Sequence, residues 1–194
     1  MQTTGSGIFL LPINGVRKKM VVLDRLDGKI KCFSDRALSA GSVISYQKKF
    51  FSSVCIISEV TIEYMPLCLA SLDLLFLHHV LELCYYFIPE GSCAKGVFEI
   101  IAWIYSLSSS MLHGNVKKYA VAKLLTTLGL WPENDNIVTQ KVHQLISAPI
   151  DTVDLSEIHL ASEREFVEWL RFCILQHPSS SKLQTMAFLS QGIR

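Results

Sequence analysis

The chain has 194 residues, of which half are hydrophobic and only 18% are charged. This composition excludes an intrinsically disordered protein and is sufficient for one domain or two small ones. The net charge of +1 hides an asymmetry, because residues 1–50 hold nine Lys or Arg and three Asp, whereas residues 51–194 hold nine Lys or Arg and fourteen Asp or Glu. Contact with a polyanion is therefore expected in the basic N-terminal part.

The cysteines and the N-terminus indicate a cellular compartment. The six cysteines are far apart and no two have CxxC spacing, which excludes a zinc ribbon and a thioredoxin-type site. The first residues lack the basic region and the long apolar stretch of a signal peptide. Free thiols without an export signal favour a cytoplasmic protein.

Residues 7–64 have the composition of β-strands. The polar lead MQTTGS is expected to be flexible, and the apolar run GIFLLPI after it forms the first strand. The segments MVVLDRL and KIKCFS meet at Asp27-Gly28, which predicts a hairpin whose two-residue turn has positive φ. In KIKCFS apolar and basic residues alternate, so one face is expected to be buried and the other charged.

Two further strand-like segments follow, SVISYQ and SSVCIISEVTIEY, with Gly41 and Lys48-Lys49 marking the bends. Both are rich in the β-branched and aromatic residues that favour strands. Five short strands without an intervening helix predict a small closed or partly closed barrel over residues 1–66.

Pro66 ends the strands, and the hydrophobic period then becomes that of a helix. The central helix is predicted over Leu72–Pro89, and it is apolar around most of its circumference, so it must be buried. Its charged and histidine residues interrupt any membrane span. His78 falls in the apolar stripe, whereas a narrow polar edge is expected at His79, Glu82 and Tyr86.

Further helices make residues 67–194 a helical domain, and the chain an α+β protein. A second apolar helix is predicted over Lys95–Ser108. A third, VKKYAVAKLLTTL, has Asn115 as its expected N-cap and Gly129 as its C′ residue. In it Tyr119, Ala122 and Leu125 are expected to face inward and Lys117, Lys118 and Lys123 to face solvent. The remaining predictions are a helix over Asn136–Ser147, a helix from the capping box Ser162–Glu165 to Pro178, and a last amphipathic piece, KLQTMAFLSQ.

The chain carries no recognisable enzyme motif. It lacks GxSxG, HExxH and a glycine-rich phosphate loop between strand and helix, so we expect no catalysis, no cofactor and no small-molecule substrate. His79 and Glu82, three residues apart on one helix face, could hold a metal ion with a third ligand, as in a small metal-dependent enzyme. The alternative that we favour is a polar edge where barrel and helices meet.

The basic residues of the first fifty positions are candidates for nucleic-acid contact. On a barrel they would converge on a groove that follows a phosphate backbone, with aromatic rings nearby to stack on bases. The alternative is a solvated lysine face with the aromatic residues in the core. The candidate cations are Arg17, Lys18, Lys19, Arg25, Lys29, Lys31, Arg36, Lys48 and Lys49, and the candidate rings are Phe33, Tyr46, Phe50 and Phe51.

Several short motifs, in this order along the chain, resemble those of RecO, the bacterial recombination-mediator family. Gly7-Ile8-Phe9-Leu10 is similar to the family's GxVL opening. Leu81-Glu82-Leu83 with Ile88-Pro89-Glu90 is similar to its "ELL … LPE" helix. The segments LLTTLGLWPE at 124–133 and SKLQTMAFL at 181–189 are similar to its "LLxxLGYxPE" and "LKSRxFL" stretches.

The resemblance implies an oligonucleotide-binding (OB) barrel and a role in DNA repair and recombination after DNA damage. Members bind single-stranded and double-stranded DNA, anneal strands, contact the acidic tail of single-stranded-DNA-binding protein, and load the recombinase with RecR. It also implies a bacterial, nucleoid-associated protein without chemistry on its substrate. Many relatives carry a four-cysteine zinc insert, but residues 134–160 contain no cysteine, so we expect no zinc. The leading alternative is a protein-interaction module of the same architecture without DNA binding.

Overall fold

The computed structural model describes residues 2–12, 19–52, 54–66, 71–93, 95–108, 110–130, 146–150 and 163–186. Contacts divide the chain into two compact units, residues 1–98 and 99–194. The first unit contains five strands and a helix, and the second contains further helices, so the chain is α+β, as predicted. No helix among these described ranges is both long and apolar enough to span a bilayer.

The five strands form a mixed sheet that closes into a ring in the order β1-β2-β3-β5-β4. Neighbouring strands are antiparallel, except that β3 and β5 are parallel. These two strands meet through only two residue pairs, Cys32 with Cys55 and Phe33 with Ile56. The strands are β1 Gln2–Pro12, β2 Lys19–Asp24, β3 Gly28–Phe33, β4 Val43–Phe51 and β5 Val54–Tyr64. Inside the ring lies a core cluster, which includes Phe9, Val22, Ile44 and Tyr46.

The expected flexible lead is wrong, because β1 begins at Gln2 and its polar half pairs with β4. Gly5 explains how this polar segment fits. A Cβ atom there would lie 2.7 Å from the ring of Tyr46 and 2.8 Å from the carboxylate of Asp24. The glycine therefore makes room for a buried polar pair beneath β1.

The predicted hairpin is confirmed, but its turn is longer than expected. Asp24 pairs with Gly28, so the loop has three residues, Arg25–Asp27. Gly28 has the expected positive φ, +72°, yet it begins β3 instead of ending a two-residue turn. The alternation in β3 is confirmed, because Ile30 and Cys32 are buried while Lys31 is exposed.

Lys48 and Lys49 do not form a bend. Both belong to β4, which continues to Phe51. Lys48 points inward, where carboxylates neutralise it. Gly41 does lie in a turn, with φ of +83°.

The first helix, α1 (Ser71–Phe87), belongs to the same compact unit as the strands and packs on β1. It is buried as predicted, and Phe76, Leu77 and Val80 are fully inaccessible to solvent. The predicted polar edge is wrong. His79 and Glu82 are buried, together with Asp73, whereas His78 is exposed.

The other helices are α2 (Lys95–Ser106), α3 (Gly114–Thr127) and α4 (Glu163–Leu175), and a 3-10 turn follows at Ser180–Lys182. Helix α3 begins earlier than predicted, with His113 and not Asn115 as its N-cap. At its end Gly129 has φ of +73°, and the N–H groups of Gly129 and Leu130 donate to the carbonyls of Thr126 and Leu125. This is the predicted glycine cap, in the Schellman arrangement.

The lysines of α3 are less exposed than predicted. Tyr119, Ala122 and Leu125 face inward as expected, but Lys118 is buried as well. Lys123 is half-buried and donates to the carbonyls of Ile146 and Ala148. Most of the helix predicted over Asn136–Ser147, Ser162 of the capping box and the end of the last amphipathic piece lie outside the described residues.

Candidate nucleic-acid interface

A buried polar network centred on Asp24 holds the β2–β3 loop. The carboxylate accepts the N–H groups of Leu26 and Asp27, each at 2.8 Å, and so fixes the loop to the end of β2. Its other oxygen accepts the Tyr46 hydroxyl at 2.5 Å and the Lys48 ammonium at 2.9 Å, both from β4. Lys48 also forms an ion pair of 2.6 Å with Asp27.

The protonation of the network follows from these contacts. Burial alone would raise the pKa of Asp24, but the hydrogen bonds from Tyr46, Asp27, Lys48 and Leu26 outweigh burial and lower that pKa. Burial and the neighbouring carboxylate raise the pKa of the Tyr46 hydroxyl. Burial would lower the pKa of Lys48, but its bonds to Asp27 and Asp24 raise it. An ionised carboxylate therefore faces a neutral phenol and a charged ammonium.

This network removes two of the predicted contact residues from the surface. Lys48 is 4% exposed and Tyr46 is 1% exposed. The Lys48 charge is compensated by two carboxylates, and the Tyr46 ring belongs to the core cluster. Neither side chain is accessible to a nucleic acid at the surface of the ring.

Three other candidate cations are bonded to acceptors of the chain itself. Lys29 is half-buried and donates to the Tyr85 carbonyl at 2.7 Å, and burial with the nearby Lys31 charge lowers its pKa. Lys31 is exposed and forms an ion pair of 2.5 Å with Glu90. Arg36 donates to the carbonyl of Val60.

The remaining described candidates are Lys19, Arg25 and Lys49, which make no ion pair within the described part of the chain. Arg25 lies at the β2–β3 loop with its guanidinium over the ring of Phe98. Lys19 begins β2, at the opposite end of that strand. The seven described candidates therefore do not converge on one groove, contrary to expectation. Arg17 and Lys18 immediately precede Lys19 and lie outside the described residues.

Lys19 and Lys49 do lie in one row across the outside of four strands. Lys19 pairs with Phe33, Phe33 with Ile56, and Ile56 with Lys49. These side chains alternate with buried neighbours such as Cys32, Cys55 and Lys48, so they share the outer face. We call this row, together with Phe51 and Val54, the cation–aromatic stripe.

Phe51 and Val54 extend the stripe to the tip of the β4–β5 hairpin, where they form the last residue pair. Phe51 is 50% exposed and Val54 40% exposed. Each phenylalanine of the stripe has a lysine beside it: the Lys49 ammonium lies 4.8 Å from the centre of the Phe51 ring, and that of Lys19 lies 5.8 Å from the centre of the Phe33 ring. Two cations and two aromatic faces therefore alternate along one surface.

An open cleft of about 580 Å³ adjoins the stripe. Phe33 and Ile56 contribute its apolar wall, Asp35 and Glu59 add carboxylates, and Arg36 adds a guanidinium. The volume is within the range of about 300–1,000 Å³ that is usual for ligand pockets. Its lining residues come from the end of β3 with the segment that follows it, Phe33–Arg36, and from β5, Ile56–Val60.

Sequence reasoning missed Ile56 and Val54. The signal was present in VCIISEV, because strict alternation in β5 places Val54 and Ile56 on the face opposite Cys55 and Ile57. Both side chains are partly exposed, Val54 at 40% and Ile56 at 41%, and they add apolar surface to the outer face of β5. Candidates chosen by positive charge do not include these two apolar residues.

The histidine and glutamate of α1 do not stand out as a metal site. His79 is fully buried, and burial lowers its pKa to about 4 although Glu82 raises it. No group of three or more His, Cys, Asp or Glu side chains that could hold a metal ion occurs within the described ranges. The third ligand that this hypothesis requires is therefore not found in that part of the chain.

The chain was also compared with known proteins. It matches no model of a known protein family, and it matches no curated protein.

Proposed function

We propose that the chain is a nucleic-acid-binding protein whose five-stranded ring has the OB fold. The strand order β1-β2-β3-β5-β4, with a parallel contact between β3 and β5, supports this assignment. OB folds bind oligonucleotides on the face of strands 2 and 3 and with the loops after strands 1 and 4. The cation–aromatic stripe occupies that face and the β4–β5 hairpin.

Within this class we propose a DNA repair and recombination mediator of RecO type. The order of five strands before the helices, and the motifs at residues 7–10, 81–90 and 124–133, support this proposal. Such a protein would hold single-stranded and double-stranded DNA, promote strand annealing and load the recombinase with a RecR-like partner and single-stranded-DNA-binding protein. It would act in the bacterial cytoplasm at the nucleoid, without a covalent step.

The observation that carries the proposal is the pairing of Lys19 with the half-buried ring of Phe33 and of Lys49 with the exposed ring of Phe51, on one outer face. The test is a titration of fluorescently labelled DNA, followed by an annealing assay with complementary strands, both at low salt. We expect binding and faster annealing. The double variant Lys19→Glu/Lys49→Glu should lose most of both, because it places negative charge against the phosphates.

A matched control is the double variant Arg171→Glu/Lys182→Glu. Its residues are exposed cations of the second compact unit. It makes the same change in net charge, so a loss specific to the Lys19/Lys49 variant identifies the stripe. Absence of DNA binding by the parent protein at low salt would contradict the proposed function.

A protein-interaction module without DNA binding is the second candidate, and one feature of α4 favours it. Phe172 is 52% exposed and Leu175 is 59% exposed, one helical turn apart. Neighbouring exposed apolar side chains of this kind are typical of protein contact sites. This candidate predicts no strand annealing and no change in either assay upon charge reversal at Lys19 and Lys49.

A further inference from the structure

We propose that the open cleft beside β5 binds an extended peptide of a partner protein, which carries an apolar residue and, two positions away, a lysine or arginine. The peptide would form main-chain hydrogen bonds along the edge of β5 and place these two side chains in the cleft. The inference goes beyond the proposed DNA binding and does not rest on it, because the ligand and the contacts that select it are different.

The first argument is an unpaired strand edge. β3 and β5 pair only at Cys32 with Cys55 and at Phe33 with Ile56, although β5 continues to Tyr64. After Ile56, no described segment other than β4 forms a main-chain hydrogen bond with β5. The edge opposite β4 therefore presents N–H and C=O groups with which an added strand can pair. The ligand whose chemistry matches such an edge is another extended main chain.

The second argument is the position of Arg36, which shows how far this edge is available. Arg36 lies in the segment that follows β3 and donates to the carbonyl of Val60, and both residues line the cleft. A guanidinium thus takes the place of a strand donor and closes the edge at Val60. The part of β5 open to a peptide is residues 57–59, so the main-chain ladder is short and side chains must supply part of the affinity.

The third argument is the apolar wall of the cleft. Phe33 is half-buried and Ile56 is 41% exposed, and both line the cleft. Water contact of this surface is unfavourable, and an apolar side chain of the peptide would cover it. In an extended peptide the next side chain on the same face is two residues away, at about 6.6 Å. That residue reaches the part of the cleft beyond the apolar wall.

The fourth argument is the charge of that further part. Asp35 and Glu59 line the cleft with a single cation, Arg36, and the lysines of the stripe do not line it. Glu59 is exposed and accepts a hydrogen bond from the Gln47 amide, which is neutral and leaves the carboxylate charge uncompensated. The lining therefore holds one carboxylate in excess. A lysine or arginine of the peptide complements it, whereas an acidic residue is repelled.

The experiment measures the anisotropy of labelled peptides with capped ends during titration with the full chain, in the absence of nucleic acid. The probe is TKTITKT, which has a lysine two positions to either side of its isoleucine and so serves either direction of pairing. The matched probe is TETITET, with the same apolar residue and the opposite charge. We expect saturable binding of the lysine peptide and at least about tenfold weaker binding of the glutamate peptide.

Three variants locate the site. Glu59→Lys should weaken binding of the lysine peptide at least about tenfold and strengthen binding of the glutamate peptide. Glu63→Lys is the matched control, because it makes the same charge change at an exposed position of β5 beyond Val60, outside the cleft. It should change both affinities by less than about twofold. Ile56→Thr keeps a β-branched residue in the strand and should weaken both peptides about threefold to tenfold. Circular dichroism of each variant establishes that it is folded.

Methylated peptides test the main-chain bonds. Successive N–H groups of an extended strand point to opposite edges, so only alternate ones face β5. N-methylation of the isoleucine, or of the threonine before it, removes one donor from one edge or from the other. One of the two methylated lysine peptides should lose binding and the other should keep it. An equal effect of both methylations would contradict pairing with the edge of β5.

The outcomes separate this inference from the proposed function. If the parent protein binds DNA but not the lysine peptide, or if Glu59→Lys leaves the preference between the peptides unchanged, the peptide site is wrong and the DNA-binding proposal stands. If the parent protein binds the lysine peptide but no DNA at low salt, the peptide site stands and the proposed function fails. Equal binding of the two peptides by the parent protein would also overturn the peptide site.

Discussion

At the scale of single residues, Asp24 connects the end of β2, the β2–β3 loop and β4 through one carboxylate. Its side chain is nearly inaccessible, so the ionised group depends on these donors instead of on water. Lys48 depends equally on Asp24, because a buried ammonium without a carboxylate is strongly unfavourable. The network explains why a lysine and a tyrosine of β4 serve the fold of the ring.

Asp24→Asn should lower the free energy of unfolding by about 3–5 kcal/mol, since it leaves Lys48 buried with one of its two carboxylates removed. Urea unfolding followed by circular dichroism measures the change. Glu63→Gln, at an exposed position on β5, is the control and should change stability by less than about 0.5 kcal/mol. Equal stability of the two variants would show that the network contributes little.

His79 predicts a pH dependence of stability. Its pKa in the folded chain is about 4, below the ordinary value of 6.5, because of burial. Between those pH values the unfolded chain binds more protons than the folded chain. The free energy of unfolding is therefore highest above pH 6.5 and falls as the pH is lowered. The loss contributed by this residue should reach about 3 kcal/mol near pH 4.

His79→Gln should flatten that dependence between pH 6.5 and pH 4, measured as urea midpoints at several pH values. His78→Gln is the matched control, because the neighbouring imidazole is exposed and should leave the dependence as in the parent protein. A parent protein with constant stability over this range would contradict the assignment of a neutral, buried His79.

At the scale of elements, the β2–β3 hairpin and the segment after α1 are fitted to each other. Glu90 makes a parallel bridge with Lys29, and the N–H of Gly91 donates to the Lys29 carbonyl. Gly28, at the start of β3, lies so close to Ser92 that an added Cβ would be 1.7 Å from the Ser92 carbonyl oxygen. Position 28 therefore requires glycine for two reasons, its positive φ and the close approach of the Ser92 backbone.

Gly28→Ala should lower the free energy of unfolding by at least about 3 kcal/mol, because it combines a left-handed backbone with a clash against main chain. Gly91→Ala separates the two causes. Gly91 also has positive φ, +76°, but a Cβ added there would have no atom within 4 Å, so this variant should lose only about 1–2 kcal/mol. Thermal unfolding measures both, and equal losses would contradict the role of Ser92.

At the scale of the whole molecule, the basic N-terminal part of the sequence does not become a surface of unpaired cations. Four of the seven described basic residues among the first fifty positions are bonded within the first compact unit, by Asp24, Asp27 and Glu90 and by the carbonyls of Tyr85 and Val60. Of these seven, only Lys19, Arg25 and Lys49 make no ion pair or hydrogen bond of this kind in the described part of the chain. DNA binding should therefore be less dependent on salt than nine basic residues imply.

The slope of log affinity against log salt for a single strand should be about −1.4 if Lys19 and Lys49 alone contact phosphates, and about −2.8 if Arg17 and Lys18 join them. Nine contacts would give about −6.3. Titrations at several salt concentrations measure the slope, and Lys49→Gln should make it less steep by about 0.7. A slope near −6 would contradict this account of the engaged cations.

Local patterns were sufficient to predict the order of elements. The alternation in KIKCFS predicted the inward face of a strand, the Asp27-Gly28 pair predicted a hairpin, and the glycine after LLTTL predicted a helix end. Each of these features depends on backbone geometry and on neighbours close in sequence. The change from strands to helices after Pro66 is of the same kind. In the structure α1 belongs to the same compact unit as the strands, because it packs on β1.

Long-range contacts decided the rest. The amino-acid sequence by itself determined five strands before helices, a buried α1 and a basic N-terminal part. Only the tertiary structure decided that Lys48 and Tyr46 turn inward to Asp24, that His79 is buried while His78 is exposed, and that Lys19 and Lys49 share one stripe with Phe33 and Phe51. The reason is physical: whether a charge or a ring meets water depends on partners from distant strands, which periodicity does not contain.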